Sequence, residues 1–191
     1  MDFHTLCTGC RTYRRFKQKQ IPEEILDELL ENARIANSAM NGQPLRYVLV
    51  KTPEVVRKIQ PCFHFAAALP KELGQPKEGE QPAAFIILCT EGPETPWTGI
   101  DIGIAVRTMN LNAYIHGVGS CIIGNVEFEK VKEILSIPET WIPRLALALG
   151  YPSHKSTIVE LPEDGSVKYY LDEERQYYVP KRKRKDISII R

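Results

Sequence analysis

The run Ala83-Ala84-Phe85-Ile86-Ile87-Leu88-Cys89-Thr90 constrains the chain more than any other segment. It is continuously apolar rather than alternating, which predicts a strand buried on both faces. After a Pro-rich turn, Thr98 stands three residues before Asp101, a start of the capping-box type. Ile102, Ala105, Val106, Met109 and Ala113 then recur at helical spacing, and Gly117 sits where a left-handed C-terminal cap is wanted. An earlier amphipathic helix opens at Pro22-Glu23-Glu24 and runs to about Ala36, with the carboxylates complementing its dipole. A polar loop, Asn37 to Pro44, leads into a strand at Tyr47–Val50. A short helix near Glu54–Ile59 and an exposed excursion from Leu69 to Pro82 follow. Further on the pattern predicts a short strand at Cys121–Ile123, a helix at Phe128–Leu135, and a strand at Arg144–Leu149 stopped by Gly150-Tyr151-Pro152. A hairpin is expected around Val167 to Val179.

At 191 residues with 43% hydrophobic content, the chain is expected to be one domain, residues 1–191, with a packed core. Its 25 basic and 24 acidic side chains leave a formal charge of +1, which provides no whole-molecule field for nucleic acid or membrane. No apolar stretch approaches the roughly 20 residues of a spanning helix. The start MDFHTLCTGC lacks a basic region followed by an apolar one, so no signal peptide is expected. Five cysteines form an odd set without framework spacing, which points to reduced thiols and a cytoplasmic location. Residues 152–191 are long and poorly hydrophobic. Such a tail has little to bury on its own protomer, and wrapping a second copy would cover Tyr169, Tyr170, Tyr177 and Tyr178. The alternative is partial disorder of its last residues.

Several segments could carry chemistry. Arg11-Thr12-Tyr13-Arg14-Arg15 offers three guanidiniums and a hydroxyl to a phosphate dianion; a solvated basic stretch is the competing account. If extended, it puts Arg11 and Arg15 on one face, Thr12 and Arg14 on the other. The loop Asn37 to Pro44 presents uncharged donors and acceptors suited to a neutral heterocycle, or is an ordinary turn. Gly117 to Gly124 (GVGSCIIG) follows a helix rather than a strand, so it is no dinucleotide fingerprint. Its glycines either let exposed N–H groups meet a flat ligand or serve as a plain helix cap. Cys7-x-x-Cys10 is half a metal site with nothing to complete it, and no metal is expected. The four histidines are scattered, and no nucleophile elbow or HExxH is present. Lys181 to Lys185 (KRKRK) is a basic run of the nucleic-acid type without stacking aromatics.

Together these segments resemble the FMN-dependent nitroreductase family over nearly the whole chain. The family's R-R-S-x-R-x-F stands here as Cys10-Arg11-Thr12-Tyr13-Arg14-Arg15-Phe16. Its P-S-x-x-N-x-Q-P-W-R-F is Asn37 to Tyr47. D-x-G-x-A leading into G-x-G-S-C spans Asp101 to Cys121, with L-G-Y-P at Leu149–Pro152 and V-P-K-R at Val179–Arg182. The resemblance implies an α+β fold, a mixed sheet flanked by helices, in an intertwined homodimer with two interfacial FMN sites. It implies phosphate binding by Arg11, Thr12 and Arg14, helped by Lys181, Arg182 and Lys183. It implies that Asn37, Ser38 and Asn41 reach the flavin from the partner subunit, and that the main chain of Ile122, Ile123 and Gly124 lies against the reactive N5 edge.

The same resemblance implies an oxidoreductase in which NAD(P)H delivers hydride to flavin N5 and a nitroaromatic, quinone or similar acceptor removes it, with no side-chain acid or base. A flavin-binding or flavin-remodelling protein of the superfamily is the alternative, and a basic-tail nucleic-acid module a second one. Three departures stand out. The family's first arginine is Cys10, for which Arg15 or the C-terminal lysines would have to compensate. The tryptophan after Gln-Pro is Leu45. The flavin-contacting residue ahead of the next strand has only Phe63, His64 and Lys71 as candidates.

Overall fold

The computed structural model describes residues 1–191, all but the side chain of Lys71. Strand β3 (Ala84–Glu91) is buried from Ala84 to Thr90, as its unbroken apolarity requires. It lies between β2 (Leu45–Val50) and β5 (Trp141–Pro152), antiparallel to both. β5 outruns the expected Arg144–Leu149, and its twelve residues let it pair β3 along one edge and β4 (Gly119–Ile123) along the other. The far end of β5 also takes β1 (Phe16–Lys17).

The period-two alternation of β3 divides the core between two faces. Phe85, Ile87 and Cys89 pack with Val56 and Ile59 of α3 (Pro53–Ile59) and Val131 of α6 (Phe128–Leu135). Ala84, Ile86 and Leu88 face Leu26 and Leu29 of α2 (Glu23–Arg34) and Val106, Met109 and Ala113 of α5 (Thr98–Ile115). The result is an α+β fold with helices on both faces of the sheet. Pairing is mixed: the five-stranded sheet is antiparallel, while Thr12 and Ser120 form a parallel bridge and the tail contains a parallel pair.

Local signals succeeded where the contact they described was local. Gly117 adopts φ +71°, and Val118 N–H closes the helix end on Ala113 O at 2.9 Å. The capping box at Thr98 is corrected: Trp97 is the N-cap, and the Asp101 carboxylate is drawn instead to the Asn37–Pro44 loop. A helix α1 (Phe3–Gly9) went unforeseen; it is capped by Asp2, which accepts from Thr5 N at 3.0 Å. The excursion holds a single turn, α4 (Lys71–Gly74), and its later part borders a cavity of about 740 Å³ with Gln18–Gln20 and α3.

The tail forms a second sheet of β6 (Ser156–Glu160), β7 (Tyr170–Leu171) and β8 (Tyr177–Lys181), in the order β6-β8-β7. The expected hairpin is the β7–β8 pair, with Tyr170 opposite Tyr178. The tail does find a seat on its own chain, contrary to its polar composition: Tyr177 is 1% exposed, its ring 4.8 Å from that of His154. Arg175 fastens the hairpin turn to Glu80 through two hydrogen bonds of 2.8 and 3.1 Å. Tyr170 and the terminal Ile187, Ile189 and Ile190 stay exposed.

Candidate functional site

The first motif is positioned by one backbone contact. Tyr13 N–H donates to Ser120 O at 2.9 Å, which lays residues 11–15 along the start of β4. Simple alternation does not hold there. Arg11, Thr12 and Arg14 line one cavity of about 260 Å³, and Arg15 is buried away from it. The reason lies at the end of α1. Arg11 Nε and Nη2 donate to Cys10 O and Cys7 O, each at 3.0 Å, so the free carbonyls of the helix terminus turn its guanidinium. Arg15 instead reaches the carbonyl of Arg175. Burial, with the Arg175 charge second, lowers its pKa.

Arg14 is held without being neutralised. Its amide donates to His154 Nε2 at 3.0 Å, and its guanidinium carbon sits 4.7 Å from the centre of the Tyr169 ring and 4.9 Å from that of Tyr177. His154 Nδ1 lies 2.9 Å from Lys155 O, so Nδ1 carries the proton and Nε2 accepts. Burial, abetted by the Arg15 and Arg14 charges, pushes this histidine down from 6.5 to about 4, so it is neutral at pH 7.

Two further cations enter the same cavity, Arg107 from α5 and Lys181 from β8. Among the described residues, none of Arg11, Arg14, Arg107 and Lys181 forms a salt bridge with a carboxylate. Four unpaired positive groups around so small a space repel one another, and an anion placed among them relieves that repulsion. Cys10 does not supply the missing charge. It is buried, and its thiol donates to Asn110 Oδ1 at 3.0 Å; burial raises its pKa, against the opposing pull of Arg107. Arg15 does not compensate either. Arg182 and Lys183 lie outside the cavity lining, and Lys183 stands 3.7 Å from Glu160.

A second cavity of about 220 Å³ shares Arg14, Ile122 and Tyr169 with the first and continues along Ile123 and Gly124. The structure thus brings the motif at 122–124 beside the cationic cluster. Of the three candidates for the missing contact, His64 lines this second cavity, and Phe63 is a core residue stacked on Phe85 at 4.3 Å. The side chain of Lys71 lies outside the described residues. Asn37, Ser38 and Asn41 are not brought to this site within one chain. Asn37 and Ser38 border a separate cavity of about 150 Å³. The Ser38 hydroxyl donates to Asp101 at 2.8 Å and accepts from Gln43 N at 3.0 Å, so it pins its own loop. Met40, Asn41 and Gln43 all take left-handed φ values of 47–53°, strain that clusters at functional loops.

Arg107 and Asn110 are not marked by any sequence motif, and Tyr169, expected only as tail surface for a second copy, lines both cavities instead. The available signal was the pair Arg107 and Asn110, three residues apart and so on one face of a helix whose other marked positions are apolar.

An α+β sheet flanked by helices, with a cavity lined by cations at the edge where β4 follows the long helix, defines the class of protein. The chain belongs to the nitroreductase family, whose model matches residues 8–151. It is 29% identical over 150 residues to a Methanothermobacter thermautotrophicus protein provisionally named an NADH dehydrogenase/NAD(P)H nitroreductase, covering 75% of this chain and 73% of that one. It is 27% identical over 179 residues to the 5,6-dimethylbenzimidazole synthase of Rhodospirillum rubrum, covering 81% and 84%. An FMN-dependent nitroreductase of Clostridium difficile R20291 shares the fold with a TM-score of 0.63 at 21% identity, over 80% of this chain and 91% of the other. Membership carries FMN-linked oxidoreductase chemistry as the class of activity.

Proposed function

We propose that the protein is an oxidoreductase of NAD(P)H and a small acceptor such as a nitroaromatic or quinone, with bound FMN supplying the hydride exchange between them. The carrying observation is the cluster of unpaired cations joined to a second cavity along β4. Arg11, Thr12, Arg14 and Lys181 hold the phosphate. Arg14 offers a whole guanidinium fork, since its side chain makes no hydrogen bond among the described residues. Ile122, Ile123 and Gly124 form the wall against which the flat ring system lies, and Ile122, 45% exposed, offers it an apolar contact. No side-chain acid or base is assigned.

The working unit is a homodimer in this reading. Asn37, Ser38 and Asn41 border no cavity shared with Arg14 in one chain, and a second copy would bring them to it. The outer face of α5 leaves Ile100, Ile104 and Ile115 exposed, apolar surface that a partner subunit would cover. The tail, residues 152–191, contributes to that interface beyond the part seated on its own chain. A cytoplasmic location, expected from the odd cysteine count, belongs to the same proposal. Similarity to a 5,6-dimethylbenzimidazole synthase favours one second reading, a flavin-remodelling enzyme with little nitroreductase activity.

An absorbance spectrum of the purified protein followed by anaerobic titration with NADH and NADPH tests the proposal. Flavin bands that bleach with either nucleotide are expected. A colourless protein that takes up no FMN would refute the flavin site, and a yellow protein that neither nucleotide bleaches would leave the remodelling reading in its place.

A further inference from the structure

We propose that Arg107 is the residue by which this protein selects a phosphorylated flavin over its unphosphorylated parent, supplying from the long helix α5 the cation that Cys10 does not. This rests on the FMN reading above and deepens it.

The argument begins with what each guanidinium has left to give. Arg11 lines the cavity, but its Nε and Nη2 are committed to the carbonyls of Cys10 and Cys7. It contributes charge and one remaining nitrogen, not a bidentate fork. Arg107 is held differently. Its Nη1 donates to Asn110 Oδ1 and lies 3.5 Å from the Cys10 sulfur, while its Nε and Nη2 have no partner among the described residues. Asn110, only 6% exposed, is itself fixed from two sides, accepting the Cys10 thiol at 3.0 Å and donating Nδ2 to the Ser120 hydroxyl. One nitrogen of Arg107 is therefore anchored to a rigid bracket, its Nε and Nη2 are uncommitted, and the residue lines the cavity that Arg14, Thr12 and Lys181 also line. A planar fork held this way matches two oxygens of a phosphate monoester and has little rotamer freedom left to lose.

The cysteine is part of the device. A small buried thiol at position 10 leaves room for Asn110 and Arg107 to come together from a helix about a hundred residues further along the chain. Dianion recognition by two free forks, Arg14 and Arg107, distinguishes FMN from riboflavin, which offers only a hydroxyl at that end.

The test is equilibrium titration of the full chain, freed of flavin, with FMN and separately with riboflavin, read by flavin fluorescence. For Arg107→Gln, affinity for FMN is expected to fall about ten- to a hundredfold, the range of a lost charge-assisted contact, while riboflavin binding stays unchanged. Arg107→Lys keeps the charge without the fork and is expected to lose several-fold for FMN alone. Thermal melting checks that each variant is folded. If Arg107→Gln does not fold, the FMN-to-riboflavin ratio of Arg107→Lys decides. An unchanged ratio in a folded variant, or equal losses for both flavins, overturns the assignment while leaving the FMN site standing. A wild-type chain that binds neither flavin overturns both.

Discussion

His154 ties the stability of the site to pH, in a direction that the structure sets. Its ring is 7% exposed, lodged between Tyr13 and Tyr177 at 5.4 and 4.8 Å, and its Nε2 accepts the Arg14 amide. Protonation would turn that acceptor into a donor facing another donor. The folded-state pKa lies near 4 against 6.5 for the free side chain, with the Lys155 carbonyl and, less, Glu80 only partly offsetting burial and the two arginines. Between these values the unfolded chain binds a proton that the folded chain refuses, so stability is full above pH 6.5 and falls as the pH drops toward 4. At about 1.4 kcal/mol per unit, the whole shift is worth about 3.5 kcal/mol, of which about 2.5 kcal/mol is gone by pH 4.5.

Urea unfolding of the wild type and of His154→Gln at pH 7.5 and 4.5 measures this directly. The variant is expected to be weaker at pH 7.5, because the ring contacts are lost, but to lose about 2.5 kcal/mol less on acidification. Carboxylates titrate in both proteins and cancel in the difference. Equal acid losses would show that His154 does not remain neutral when folded, and the account of how Arg14 is held would fail with it.

Arg14→Glu should abolish flavin retention on dialysis, since loss of the contact alone is worth about 1.5–3 kcal/mol and the new charge repels phosphate; unchanged FMN content would place the phosphate elsewhere. Chelator treatment should alter neither folding nor flavin content, because Cys10 is already committed to Asn110; stoichiometric zinc lost together with structure would contradict this. Gly119→Ala should cost about 1–3 kcal/mol in a melt, since the added carbon would sit 2.6 Å from Pro152 and 2.8 Å from the Tyr13 ring; an unchanged melt would mean that β4 can shift. Arg14→Glu chains refolded with Asn41→Trp chains should recover flavin in about a quarter of all sites, because half the dimers pair one defect with the other and leave one site intact. Recovery near zero, with mixed dimers confirmed by mass, would mean that both residues serve a site within one chain.

The parts of the fold legible in the sequence are those that periodicity specifies. β3 announces its double burial through an unbroken run, and α5 its core face through spacing. The edges of the site were less legible because they depend on distant contacts. Asp101 has the spacing of a cap, yet its carboxylate serves Ser38 and Ala39, some sixty residues earlier. The turn of Arg11 out of strand alternation depends on where α1 ends, and only Leu6 of that helix is buried, too little apolar pattern to reveal it. The polar tail hides the fact that a single ring, Tyr177, meets His154. Arg107 reads as a solvated helix position until Cys10, ninety-seven residues away, is seen against it.

These nonlocal contacts share one physical feature. Each cavity arginine is held by groups that orient it without cancelling its charge: carbonyls for Arg11, two tyrosine rings for Arg14, an amide and a thiol for Arg107. Arg15, from the same motif, is buried away from the cavity, donating to the carbonyl of Arg175, whose own guanidinium fastens the tail to Glu80. A fold that needed these arginines only for stability would have paired them with carboxylates, as it paired Arg175 with Glu80. Leaving three guanidiniums oriented and unneutralised around one cavity costs stability through their mutual repulsion, a cost that the proposed phosphate would offset on binding there.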